Sequence, residues 1–269
     1  MKNWLITGCS AGFGRAIAEA ALAAGDQVVA TARRLETLAG LGATRTAALD
    51  VTDGRQVDDV VAGAVRDLGH LDVIVNNAGN GSVGAVEEFT MDELRRHLEV
   101  MFFGAVAVTK AALPHLRIRG RGTIVQISSM GGQVTMPGFG AYCAAKFALE
   151  GVSEALAAEV APFGVRVLIV EPGAFRTEFG GARMHRSRTI DAYAVSTSAT
   201  RAAVDSMDGR QPGDPAKAAA AILAAVNSPE APLRLALGDD ATDAIAGALR
   251  QREADLRAWE KVSRGTAAG

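Results

Sequence analysis

The chain has 269 residues, 49% hydrophobic and 22% charged, with a formal net charge of −2. That is long enough for one large α/β unit with a well-buried core, and the ordinary proportions exclude a disordered or low-complexity chain. The near-neutral balance argues against a broad nucleic-acid or membrane-binding surface, and the two cysteines, Cys9 and Cys143, form no disulfide framework. A cytoplasmic setting is the expectation. Met1-Lys2-Asn3 leads straight into an apolar strand with no signal segment, and no apolar run is read as approaching the roughly 20 residues that span a bilayer.

Trp4-Leu5-Ile6-Thr7 reads as the first strand, ending in Thr7-Gly8-Cys9-Ser10-Ala11-Gly12-Phe13-Gly14, after which an Ala-rich helix runs to Gly25. Glycines let a backbone approach a pyrophosphate, and the helix N-terminus offers free N–H groups and the positive end of a dipole. A tight turn without a ligand is the plain alternative. Gln27 to Arg34 reads as the second strand, whose end is where dinucleotide enzymes choose their cofactor. NAD sites place an acid there, whereas this chain has Ala32 followed by Arg33 and Arg34, which suits a 2′-phosphate and so NADP over NAD.

Residues 47–51 read as a third strand. Asp50 and Asp53 then stand before a helical stretch to Leu68, so either can serve as a cap. Leu71 to Asn76 is an almost wholly apolar fourth strand of the kind covered on both faces, closed by the turn Asn76-Asn77-Ala78-Gly79. Met91 to Arg119 is helical, with apolar residues at Leu94, Leu98, Met101 and Phe102 and a stop at Gly120. His70, His97, His115 and His185 have no metal-ligand spacing and read as surface or cap residues, and no metal is expected.

The run Thr123 to Ile127 reads as a strand delivering Ser129 to the sheet's carboxyl edge, where open α/β sheets bind ligands. Thirteen residues on, Tyr142 and Lys146 stand four apart and share a helix face. A neighbouring ammonium favours an ionised phenol, so the pair can serve as a proton-transfer device, with the Tyr142 pKa expected below its ordinary value of about 10; on the motif alone, two polar residues decorating a solvated helix face is the plainer reading. Val165 to Val170 is a sixth strand running into Glu171-Pro172-Gly173. Residues 178–212 lose periodicity, and on the residues alone a mobile lid and a plain surface excursion read equally. A helix begins at Asp214-Pro215-Ala216, a seventh strand spans 233–237, and the tail is helical and charged.

Together, Thr7-Gly8-x-x-x-Gly12-x-Gly14, Asn76-Asn77-Ala78-Gly79, Ser129, Tyr142/Lys146 and Pro172-Gly173 resemble the short-chain dehydrogenase/reductase family, in the right order over about residues 1–180. The resemblance implies a single-domain Rossmann-type α/β fold over 1–269: a doubly wound parallel sheet of about seven strands, helices on both faces, and a substrate lid at 178–212. It implies an NADP-dependent oxidoreductase moving a hydride between nicotinamide and a secondary alcohol or ketone. Ser129 would steady the substrate oxygen, Tyr142 would carry the proton, and Lys146 would lower the tyrosine pKa and hold the ribose.

Also by resemblance, Gly8, Ser10, Gly12, Phe13 and Gly14 would surround the pyrophosphate, Arg33 and Arg34 the 2′-phosphate, and Asp50 and Val51 the adenine. Asn77, Ala78 and Gly79 would line the cofactor cleft, and Pro172, Gly173 and Thr177 would meet the nicotinamide. The partner would be a small carbonyl or alcohol, with Val134, Met136, Phe139 and Phe179 hinting at an apolar pocket. The segment Tyr142 to Gly151 resembles the steroid and retinoid branch. A homodimer or homotetramer through the helices around Met91–Arg119 and Tyr142–Val160 is implied as well. Met101 departs from the family's asparagine, which puts its water relay to the lysine in doubt. The rival reading is an NADP-binding regulatory or scaffold protein. A P-loop hydrolase is disfavoured because no Gly-x-x-x-x-Gly-Lys-Ser/Thr occurs.

Overall fold

The computed structural model describes residues 1–181 and 184–266. β1 (Asn3–Ile6) turns into α1 (Gly12–Ala23), followed by β2 (Gln27–Ala32), β3 (Arg45–Ala48), α2 (Gly54–Leu68), β4 (Val73–Asn76) and a short β5 (Ser82–Val83). α3 (Met91–Leu98) passes through a π-turn at Glu99–Phe103 into α4 (Gly104–Arg119), and β6 (Gly122–Ile127), α5 (Gly140–Val160) and β7 (Val165–Pro172) come next. The chain closes with a short β8 (His185–Arg186), α6 (Ala194–Met207), α7 (Pro215–Asn227), β9 (Arg234–Leu237) and α8 (Asp239–Arg264).

Seven strands form one parallel sheet in the order β3-β2-β1-β4-β6-β7-β9. The order reverses between β1 and β4, and a crevice at such a switch point is where doubly wound sheets take their ligands. Leu5 lies in register with Val29 and Ile74. Side chains alternate across a strand, so Trp4 and Ile6 pack with Ile17 and Ile222 on the α1/α7 side, while Leu5 packs with Val61, Leu116 and Ile124 on the α2/α4 side. These residues are fully buried or nearly so, and each is worth ~1.5–3 kcal/mol of apolar burial.

The structure moves some expected boundaries. β3 covers Arg45–Ala48, not 47–51, because as an edge strand it exposes alternate residues, and the buried apolar pair Leu49 and Val51 lies beyond its end. Residues 178–212 carry β8 and the 14-residue helix α6, with 182 and 183 outside the described residues. α6 escaped notice because its Ser- and Thr-rich sequence buries little, Thr197 being its one buried residue. The run Met91–Arg119 is, by length and composition, apolar enough to cross a membrane, contrary to expectation. In the fold, however, Val108, Ala112 and Leu116 belong to the core. β5 and β8 pair in parallel, Ser82 beside His185, tying the base of the 178–212 excursion to the loop after β4.

Candidate active site

All the strand ends that the sequence singled out open onto one edge of the sheet. A cleft of about 1390 Å³ lies there, exceeding the roughly 300–1,000 Å³ of a single small-ligand site. Gly8, Ser10, Gly12 and Phe13 from the first turn line it, together with Ala32, Arg33 and Arg34 beyond β2, Val51 beyond β3, and Asn77, Ala78 and Gly79 beyond β4. Ser129, Tyr142, Lys146, Pro172, Gly173 and Thr177 line the same cleft.

The glycine turn is built for close approach. Gly8 and Gly12 have φ of 73° and 59°, which side-chain-bearing residues rarely adopt. Gly14 does not line the cleft. A Cβ there would collide with the Gly8 carbonyl and the Asn77 amide, so its part is to let α1 close on β1. Asn77 locks that turn from β4: its Nδ2 donates to the carbonyls of Thr7 at 2.8 Å and Gly8 at 3.1 Å. Thr7 Oγ1 in return accepts the N–H groups of Asn77 and Ala78 at 3.0 and 3.1 Å.

Arg33 and Arg34 are exposed at the rim, and Arg34 holds a long ion pair to Glu36 at 3.7 Å. Arg15 turns away and pairs with Glu19 at 3.0 Å. Asp50, expected at the adenine, is engaged with its own loop. It is absent from the cleft lining, and its Oδ1 accepts from the Thr52 N–H and hydroxyl at 3.0 and 2.8 Å. Asp53 caps α2, accepting from Arg55 and Gln56 N–H. Thr177 leans over the first turn, 3.3 Å from where a Gly12 Cβ would stand.

Ser129 Oγ accepts the Gly131 N–H at 3.0 Å, which fixes the hydroxyl at the end of β6. Lys146 is buried, and its Nζ donates to the Ile127 carbonyl at 2.8 Å while lying 5.7 Å from the Tyr142 ring centre. Burial pulls the Lys146 pKa down to about 8, against an upward pull from Glu150. The expected lowering of the Tyr142 pKa is not met. Burial raises it well above the ordinary phenol value, outweighing the opposing hydrogen bond from Ser129, because a phenolate loses more hydration there than the phenol. Burial likewise pushes Cys9 up to about 12 and Cys143 up to about 11, so both thiols are unreactive packing groups.

Val134, Met136, Phe139 and Phe179 all line the cleft, and the Phe179 ring lies edge-on to Tyr142 at 5.2 Å. Sequence reasoning missed His97. It is buried in the cleft wall, 5.6 Å from His185 and 6.1 Å from Phe89 between ring centres, so neither it nor His185 is a plain surface residue. No group of three potential metal ligands occurs among the described residues.

Sequence and structure comparisons converge on one family. The family described as short chain dehydrogenase matches residues 2–187. An oxidoreductase of Botryotinia fuckeliana (strain B05.10) is 40% identical over 268 residues, covering 97% of this chain and 98% of that protein. The crystal structure of a short-chain dehydrogenase from Streptomyces avermitilis superposes with a TM-score of 0.94 at 53% identity, over 99% of this chain and 100% of the other. An alcohol dehydrogenase from the archaeon Thermococcus sibiricus, solved with 5-hydroxy-NADP, has a TM-score of 0.70 at 26% identity, covering 88% and 95% of the two chains.

Proposed function

The chain belongs to the short-chain dehydrogenase family and is an oxidoreductase of that family, and from that premise we propose that it transfers a hydride between NADP and an apolar secondary alcohol or ketone. The observation that carries the reading is the convergence of Ser129, Tyr142 and Lys146 on the cleft wall beside the glycine turn. The turn fits a dinucleotide: two positive-φ glycines, a third without room for a Cβ, and a helix N-terminus behind them. NADP is preferred in this reading because Ala32 puts no carboxylate at the end of β2 and Arg33 offers an exposed cation there.

NADPH, when bound, supplies the hydride in the reductive direction. Tyr142 keeps its proton in the buried wall and donates it to the substrate oxygen. The Ser129 hydroxyl, steadied by the Gly131 N–H, hydrogen-bonds that oxygen as charge develops on it. Lys146, held by the Ile127 carbonyl, supports the ribose and opposes the charge left on the phenol. Phe139, Phe179 and Met136 exclude water from the reacting side, and segment 178–212 acts as the lid.

The test is a screen of apolar ketones with NADPH and with NADH, following coenzyme oxidation. Turnover with NADPH is expected. The pair Ala32→Asp/Arg33→Ala should weaken or invert the preference, because a carboxylate repels the 2′-phosphate. Equal affinity of the native protein for both coenzymes would remove the NADP assignment.

A further inference from the structure

Behind the catalytic residues lies a buried polar layer that the proposed reaction does not use. Glu150 stands on α5 one turn beyond Lys146 and is 2% exposed. Its Oε1 accepts the hydroxyl of Ser128, the residue before Ser129. Its Oε2 accepts Gln133 Nε2 at 2.7 Å and Arg234 Nη1 at 2.6 Å. Arg234 Nη1 also donates to Glu171, the residue before Pro172, and its Nη2 reaches Glu154 at 2.9 Å. Arg252 of α8 closes the layer through Gln133. A Cβ on Gly132 would run into the Glu150 carboxylate, so the turn after Ser129 is shaped around that group.

We propose that Glu150 is a positioning residue for the active site: its buried carboxylate anchors Ser128, and through it Ser129, and supplies negative charge one helical turn from the Lys146 ammonium that is aimed at the Ile127 carbonyl. Two buried carboxylates, Glu150 and Glu171, share the single guanidinium of Arg234, so the layer retains negative charge on the side facing α5. The groups facing Glu150 and Lys146 are Tyr142, Cys143 and Glu154 on α5, Glu171 on β7, Arg234 on β9 and, through Gln133, Arg252 on α8. Glu150 is the neighbour whose charge pulls Lys146 upward against burial, whereas burial, with the Glu150 charge added, raises Glu171 itself. A purely structural clamp would treat Glu150 and Glu171 alike, since both bind Arg234 and Gln133.

The proposal rests on the proposed role of Lys146, and its test needs neither substrate nor turnover, so failure of the hydride-transfer reading is separately visible. The chain has five lysines, Lys2, Lys110, Lys146, Lys217 and Lys261, which makes lysine-labelled NMR titration tractable, with Lys146 assigned by the signal lost in Lys146→Met. Glu150→Gln keeps the shape and the acceptor for Ser128 but removes the charge. It should lower the Lys146 midpoint by about half a pH unit or more, while Glu171→Gln moves it by less than half as much. An unmoved Lys146 in Glu150→Gln, or equal shifts in both variants, overturns the proposal. Should Glu150→Gln not fold, Glu150→Asp retracts the charge by one methylene and still has to move the midpoint down; an unchanged midpoint there is equally fatal.

Discussion

The Tyr142 phenol and the Lys146 ammonium share one face of α5, and burial acts on them in opposite directions, raising the first pKa and lowering the second. Tyr142→Phe removes only the oxygen that carries the proton, so kcat should fall by about 10²–10⁴ while NADPH affinity stays within about twofold. Coenzyme fluorescence titration beside turnover separates the two, and substantial remaining turnover would end the assignment. Met101 is 1% exposed in the π-turn, packed with Tyr142, Cys143 and Ala145, and its side chain lies 3.3 Å from where a Gly79 Cβ would stand. A thioether is a poor hydrogen-bond partner, but an amide in this apolar setting would leave donors unmet at about 1–3 kcal/mol. Met101→Asn should therefore lower the melting temperature and change the rate by less than about tenfold. A dormant native protein awakened by that change would favour the scaffold reading. The Tyr142–Lys146 pair was legible because its spacing is local to one helix. The Glu150–Arg234 contact was not, since its partners are 84 residues apart and no periodicity links them.

At the scale of elements, a buried carboxylate ties α6 to the body. Glu88 accepts the N–H groups of Ala85 at 2.7 Å and Ile190 at 2.9 Å, and Arg201 of α6 at 2.7 Å. Burial alone would raise the Glu88 pKa, but these donors outweigh it and bring it down to about 2. A carboxylate depressed in the folded state contributes stability that is present above its unfolded pKa of 4.5 and is lost as pH falls through about 2. Local opening of β8 and α6, read from hydrogen exchange after correction for the intrinsic pH dependence of amide exchange, should accordingly be flat from neutrality to about pH 5 and increase in acid. Glu88→Gln should show the fast exchange already at neutral pH, with a higher KM for the ketone, because removing one partner of a buried pair costs about 3–5 kcal/mol. Exchange in that variant as slow as in the native protein would rule out the latch. The strands around β1, β4, β6 and β7 were legible because burial on both faces gives near-continuous apolar runs. α6 was not, because its order comes from Glu88, Arg201 and Ser187 and from a Thr200 hydroxyl on the Pro137 carbonyl, all tertiary contacts.

For the whole molecule, the sheet consumes the apolar surface of α1, α7 and α2 but leaves part of the α4 and α5 surface uncovered. Phe103 is 52% and Ile118 84% exposed along the Met91–Arg119 run, and Phe147 on α5 is 39% exposed. Arg252 of the same chain lies 5.9 Å from the Phe147 ring centre and Arg117 lies 5.8 Å from that of Phe163, so two of the exposed rings already have a guanidinium over them. Among the described residues no guanidinium covers Phe103 or Ile118, and exposed apolar surface of this kind can be covered by a second copy of the chain. A stable homo-oligomer needs about 800 Å² from each partner. The protein is therefore expected to be a dimer or tetramer built through α4 and α5. Light scattering at micromolar concentration should report a multiple of the 27.8 kDa chain mass. Phe103→Asp should shift the mass toward the monomer by placing a charge on the expected contact face, while Trp259→Asp on α8, at a residue that is 65% exposed and outside both helices, should not. A native monomer, or equal dissociation by the two substitutions, would move the interface elsewhere or abolish it.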